Sequence, residues 1–270
     1  MRADVSAYRI ELLTSGGLKS KGLSPKTVTN ILSVLKNIFI FANREKFLVT
    51  ADIKDITVKQ PQKPMRILSI EEQQRLSQYL CDNLTSCWLG ILLCLYTGLR
   101  IGEVCALKWK DIHIHEHYLY IHQSMQRIQI EGSEKRKTKV IIQSPKSECS
   151  IRKIPIPDEI LPLLLSFKSN DDAFLLIGHV NRFIEPRNLE NQFKTVTKEC
   201  GIKIINFHAL RHTFATRCVE LGFDIKSLSE ILGHSSVNIT LNRYVHPSME
   251  LKQKNMNKLS GFILQKKPSR

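Results

Sequence analysis

No stretch of the 270 residues approaches the ~18 consecutive apolar positions that a membrane-crossing helix requires. The opening residues, MRADVSAYRIELL, lack the basic start, apolar centre and small-residue cleavage site of a secretory signal. A cytoplasmic location is therefore expected, and a membrane partner is not. Cysteine is present seven times, an odd number without a C-x-x-C pair, which argues against a disulfide framework and a zinc ribbon. Most of these thiols sit in apolar helical patterns and read as reduced core residues. A phosphate-binding P-loop is missing too. The stretch GLKSKGLS at 17–24 has its two glycines, but Leu23 stands where the lysine must be.

Acidic residues are in short supply. Lys plus Arg number 40 against 25 Asp plus Glu, a net charge of 40 − 25 = +15. Such an excess suits a polyanionic partner, although charge alone does not separate DNA, RNA and an anionic membrane surface. The length and the apolar fraction of 42% allow one large or two modest domains with real cores.

Val5, Tyr8, Ile10, Leu12 and Leu13 form a short amphipathic stretch at the start. Ser24 and Pro25 then open a clear helix as N-cap and first-turn proline. Val28, Ile31, Leu32, Leu35, Ile38 and Phe39 recur at helical spacing and predict one buried face. The opposite face, with Lys26, Asn30, Lys36 and Asn37, suits either plain solvation or contact with phosphates. Residues 58–65 contain two prolines and no apolar period, so they read as a linker. Ser69 to Glu72 spells a capping box opening a helix to about Leu80. Residues 85–97 are apolar nearly all round, as a buried central helix would be, and Gly98 ends it. Arg100 follows at the start of a short helix, where position alone favours an ordinary surface residue. Glu103, one turn on, is placed to hold its guanidinium.

From Asp111 to about Pro157 the apolar period changes to two, which predicts strands. His113, His115 and His117 would share a face of a single strand, but a turn at Glu116 and His117 breaks that array, so no metal site is expected. Val140 to Gln143 and Ile151 to Pro155 flank a turn, predicting a hairpin with Lys146 at its exposed tip. Helices are expected over 158–167, 189–200, 225–232 and 247–259, with a new turn near Ser235 leading to Tyr244.

Chemistry-bearing residues concentrate between Asn206 and His246: His208, Arg211 and His212 within five residues, then Gly233, His234 and Tyr244. Arginine offers a fixed fork of donors to phosphate oxygens, histidine can donate or shuttle a proton, and a tyrosine hydroxyl can form a covalent intermediate. His208 and His212 are spaced like the histidines of a zinc protease, but Ala209 replaces the glutamate that motif needs. Zinc is not expected, and His212 reads as structural.

The segments HALRHTFAT at 208–216, LGHSS at 232–236 and NRYVH at 242–246 resemble the C-terminal motifs of the tyrosine recombinase (phage integrase) family. TGLRIGE at 97–103 is similar to its first arginine motif, and SPKSECSIRKIPIP at 144–157 to its lysine-bearing β-hairpin. All occur in the family's order and span about residues 20–260. The resemblance implies a mainly α fold with a small β-sheet (α+β). A catalytic domain at 67–270, with a C-terminal tail helix, would follow a linker at 58–66 and a short, truncated helical core-binding domain at 1–57. It also implies a site-specific recombinase or integrase of a phage or other mobile element. Tyr244 would attack a DNA phosphorus to give a 3′-phosphotyrosyl link, with Arg100, Arg211 and His234 on the phosphate oxygens. Lys146 would protonate the leaving 5′-oxygen, His208 would be the base for Tyr244, and Glu103 would support Arg100. Bond energy is retained in the phosphotyrosine, so no metal, ATP or other cofactor is expected. The implied partner is double-stranded DNA, with a homotetramer on synapsed DNA and accessory directionality or DNA-bending proteins.

Two other functions fit the same residues. A defective, non-catalytic DNA-binding remnant would bind without covalent capture, and a type IB topoisomerase would relax any supercoiled plasmid. In every case the charge predicts that affinity for a DNA duplex, followed by fluorescence anisotropy, falls linearly on a log–log plot against salt. A flat dependence would exclude the phosphate backbone as partner.

Overall fold

In the computed structural model, residues 2–18, 20–47, 53, 55–60, 65–130, 138–145, 147–245 and 249–258 are described, and the chain divides into two units, residues 1–64 and 65–270. The first unit is built on helices α1 (Arg2–Thr14) and α2 (Pro25–Arg44). The Ser24 hydroxyl accepts the Thr27 N–H at 3.2 Å and caps α2, and Pro25 supplies its first turn. Val28 and Leu32 of α2 are buried with Val5, Leu12, Ile53 and Ile56. Ile38 departs from the predicted face. It is 56% exposed, because within this unit the described apolar residues cover chiefly the first half of α2.

In the second unit, α3 (Ile70–Asp82) opens with the predicted capping box. The Glu72 N–H donates to Ser69 Oγ at 3.1 Å and the Ser69 N–H returns to Glu72 Oε2 at 3.0 Å. Helix α4 (Ser86–Thr97) is apolar on every side and is accordingly enclosed, with Leu89, Ile91, Leu93 and Leu95 fully buried. Each such side chain contributes about 1.5–3 kcal/mol. Gly98 stops the helix in the left-handed region, at φ 67°. A Cβ there would lie 2.6 Å from the Phe214 ring, so both conformation and space require glycine. The turn leads directly into α5 (Ile101–Ala106).

Among the described residues five strands follow: β1 (Ile112–His113), β2 (Tyr118–Ile121), β3 (Ser124–Gln129), β4 (Thr138–Gln143) and β5 (Arg152–Pro155). The turn between β1 and β2 separates the three histidines as expected, with His117 in the left-handed region. The hairpin expected across 144–150 is not made. β5 pairs with β2 in an antiparallel sheet of order β1-β2-β5, while β4 pairs with β3 in a second, two-stranded sheet. The reason lies in face matching. Arg152 and Ile154, the buried residues of β5, stand opposite Ile121 and Leu119, the buried residues of β2. Pro145 and a 3₁₀ turn at Glu148–Ser150 interrupt any ladder that would continue from β4.

The remaining helices are α6 (Leu161–Ser166), α7 (Pro186–Glu199), α8 (His208–Glu220), α9 (Ile225–Leu232), α10 (Val237–Tyr244) and α11 (Met249–Asn257). α4 packs along α8, and α5 against β3 and α7, around a core that includes Phe193, Leu119, Ile121 and Met125. A smaller cluster between α8, α9 and α10 holds Ala215, Cys218, Leu228, Leu232 and Tyr244. The architecture is the expected one, mainly helical with small antiparallel sheets. Among the described residues no helix is long and apolar enough to cross a membrane.

Candidate functional site

The site assembles around the C-terminal end of α9. Arg100, the N-cap of α5, donates from Nη1 to Glu103 Oε1 at 2.7 Å and from Nη2 to the Gly233 carbonyl at 3.0 Å. Its backbone N–H also donates to Glu103 Oε2, at 2.9 Å. Arg211, on α8 and only 2% exposed, donates to the Gly98 carbonyl at 2.7 Å and to the Leu232 carbonyl. Both arginines therefore rest on helix C-termini, where unpaired carbonyls and the negative end of the helix dipole favour a cation. Burial, and next the charge of Arg100, pull Arg211 down to about 9, which leaves it charged at neutral pH.

His234 follows the left-handed Gly233. Its Nδ1 lies 2.8 Å from the hydroxyl of buried Thr240, so Nε2 is the ring nitrogen left for another partner. Burial first, then Arg211, Arg100 and Arg243, lower this histidine to about 4, and it is neutral at ordinary pH. Tyr244 closes α10 and is 6% exposed, its ring nearly parallel to that of His234 with centroids 6.4 Å apart. Burial raises the phenol above its usual 10, against the lowering fields of Arg211, Arg243 and Arg100.

The expected partner of this hydroxyl was His208; the structure puts His212 there, with Nδ1 at 2.8 Å from the Tyr244 oxygen. His208 lies at the exposed start of α8 with its ring edge-on to His212, centroids 4.4 Å apart. The two histidines share a helix face at i and i+4, and the one a turn further along α8 meets α10. Their spacing identifies the face but not which of them is covered. Loss of surrounding water, then Arg211 and Arg243, lower His208 to about 4. Burial, then His208, Arg243 and Arg211, lower His212 to about 3. Both rings are therefore neutral, and each neutral ring carries one acceptor nitrogen.

Arg152 was not anticipated. It is 8% exposed, on β5, and it grips Glu103 with both terminal nitrogens at 3.0 and 2.9 Å. The period-two pattern carried a signal: Arg152 is two residues from Ile154 and so shares its buried face. Burial by itself would raise the Glu103 carboxyl, but the hydrogen bonds and charge of Arg152, and the charge of Arg100, outweigh it and hold the group below its ordinary value. Arg100, Glu103, Arg211, His234 and Tyr244 are thus brought together from four stretches of chain. Lys146, the lysine expected at the hairpin tip, lies outside the described residues. Among the described residues no group of three His, Cys, Asp or Glu could hold a metal ion.

Residues 66–250 match the model of the phage integrase family. The chain belongs to the phage integrase family. Among curated members, it is 29% identical over 253 residues to a XerC-like tyrosine recombinase of Caldanaerobacter subterraneus subsp. tengcongensis, a match covering 85% of this chain and 64% of that relative's length. It is 25% identical over 259 residues to the ICEBs1 integrase of Bacillus subtilis, covering 91% of this chain and 68% of that one. The Tn1549 transposon integrase, solved in complex with a circular intermediate DNA, shares its fold. That match has a TM-score of 0.76 at 24% identity, and covers 96% of this chain and 85% of the other.

For this phage integrase family member, Gly233 is the position at which backbone strain and site geometry coincide. At φ 64°, a Cβ would stand 3.0 Å from both Arg152 Cδ and the Cys149 carbonyl. Gly233→Ala is expected to lose about 2 kcal/mol in urea unfolding, from left-handed strain and the displaced arginine. An unchanged midpoint would mean that the end of α9 is not held as described.

Proposed function

We propose that this chain is a site-specific DNA recombinase of a mobile element, cutting and rejoining double-stranded DNA through a 3′-phosphotyrosyl intermediate on Tyr244. One observation carries the reading: the two guanidiniums of Arg100 and Arg211, the His234 ring and the Tyr244 phenol converge on the end of α9 from separate elements. The names of its relatives, recombinases and integrases, and the DNA complex of its structural neighbour support the same conclusion.

In the proposed reaction the Tyr244 oxygen bonds to phosphorus, the bond from phosphorus to the 5′-oxygen breaks, and a 5′-hydroxyl leaves. A second 5′-hydroxyl then reverses the step on another strand. Arg100, Arg211 and Nε2 of His234 donate to the non-bridging oxygens, on which charge redistributes in the transition state. Removing one donor of this kind typically costs ~3 kcal/mol of barrier. The phenol needs a proton acceptor, and His212 is the ring already in contact with it, so we assign that role to His212 in place of His208. The proton for the leaving oxygen is assigned to Lys146, a general-acid contribution of commonly ~10²–10⁴-fold. Because the phosphotyrosine keeps the bond energy, the cycle is proposed to run without ATP, metal or cofactor. Four protomers on synapsed DNA, accessory bending or directionality proteins and a cytoplasmic setting complete the proposal.

The test is covalent trapping on nicked suicide duplexes carrying the DNA that flanks the chain's own coding sequence. A slow-migrating, protease-sensitive adduct is expected with the wild type and none with Tyr244→Phe. An adduct that survives Tyr244→Phe would overturn the assignment, and salt-sensitive binding without any adduct would point to a non-catalytic protein.

A further inference from the structure

Glu103 is the most heavily used acceptor in the site. Its two carboxylate oxygens receive the Arg100 backbone N–H, Arg100 Nη1, Arg152 Nη1 and Arg152 Nη2, all between 2.7 and 3.0 Å. An ionised carboxylate has about four acceptor positions, so none is left over. Arg152 does more than neutralise it. Nε donates to the Ile231 carbonyl at 2.6 Å and Nη1 also to the Ser150 carbonyl at 3.0 Å. One planar guanidinium thus ties together α5, the turn before β5 and the end of α9.

We infer that Arg152 is a positioning residue for the strand-cleavage reaction: through Glu103 and the end of α9 it sets the guanidinium of Arg100 against the DNA phosphate. The inference rests on the function proposed above and deepens it. Arg100 itself is about one-third exposed, with two fixed anchors, Glu103 and the Gly233 carbonyl. Arg152 holds both anchors, the first by a two-pronged ion pair with partners 6% and 3% exposed, the second by its bond to Ile231, two residues before Gly233. A lysine could not replace it, because only the planar fork satisfies a carboxylate and a carbonyl in two directions at once.

The consequence is a pH signature. The groups facing Glu103 are Arg100 on its own helix, Arg152 on β5, Arg211 on α8 and the Cys94 thiol on α4. Asp111 and His122 line the small cavity beside it, joined to each other at 3.0 Å. Of these, Arg152 first and then Arg100 do most to oppose the burial of the carboxyl, and Arg211 adds to them. With Arg152 in place, Glu103 stays ionised, and the Arg100 clamp with it, to a lower pH than an ordinary glutamate would. Without Arg152, only Arg100 and Arg211 oppose the burial of the carboxyl, so it rises and the clamp releases at a higher pH.

The experiment compares the full-length wild type with Arg152→Met and Arg152→Lys by two readouts. The first is the ¹³C-NMR titration of the Glu103 carboxyl, assigned with Glu103→Gln. The second is the rate of covalent trapping against pH on a duplex that traps the wild type. Arg152→Met is expected to raise the carboxyl by at least about one unit and move the acid limb of the rate with it. Trapping at neutral pH should slow about a hundredfold, as a small misplacement of a binding group allows. Arg152→Lys should shift both in the same direction by less. An unshifted carboxyl in the folded Met variant, or in the Lys variant if the Met variant does not fold, would overturn the inference. So would trapping that falls only with the folded fraction while its pH profile stays that of the wild type. If the wild type forms no adduct at all, the proposed function fails, and the titration still decides what Arg152 does to Glu103.

Discussion

Three successive carbonyls at the end of α9, those of Ile231, Leu232 and Gly233, each accept a hydrogen bond from a different arginine: Arg152, Arg211 and Arg100. A helix leaves its last carbonyls without internal partners, and its dipole places negative charge there. In most helices water or a glycine-capped turn satisfies them. Here guanidiniums do, and the left-handed Gly233 turns the chain so that the third carbonyl joins the other two. The same device recurs at α4, whose left-handed Gly98 offers its carbonyl to Arg211. Two helix ends thus fix the cations on which the proposed chemistry depends, before any substrate arrives. Donors oriented in advance need little reorganisation during the reaction, and that is where electrostatic catalysis gains most.

The arrangement leaves charge unbalanced on purpose-built ground. Three guanidiniums around one carboxylate give 3 − 1 = +2 in a largely buried setting. Taking such groups out of water is costly unless each is paired. The carbonyls and Glu103 supply part of that pairing, and a phosphodiester would supply more through charge-assisted, fork-shaped hydrogen bonds. The unbalanced field also explains the state of the neighbours. After burial, the arginines are the main reason His234 is held neutral, and they are what draws the phenol of Tyr244 down against burial. An incoming anion would relieve the first effect.

Features governed by local chemistry were legible in the sequence. The capping box at Ser69, the apolar α4 and its stop at Gly98 follow from neighbours within a few residues, and all are found. What depended on distant partners was not. The pairing of β5 with β2 and not β4 is decided by matching of buried faces across some thirty residues of chain. Which of two histidines on one face of α8 meets Tyr244 depends on where α10 crosses, and helical spacing carries no such information. Ile38 has the right periodicity for burial, but exposure depends on how much apolar surface the rest of the first unit provides. Arg152 was hidden in a different way. A basic pair in a β segment reads as solvated, and only its shared face with Ile154 points inward.

The most direct measurement of the central claim is mass-spectrometric mapping of the covalent protein–DNA adduct after nuclease and protease digestion. The account predicts a residual nucleotide joined by its 3′-phosphate to the peptide that contains Tyr244. Nucleotide on any other side chain, or joined to Tyr244 through a 5′-phosphate, would contradict it.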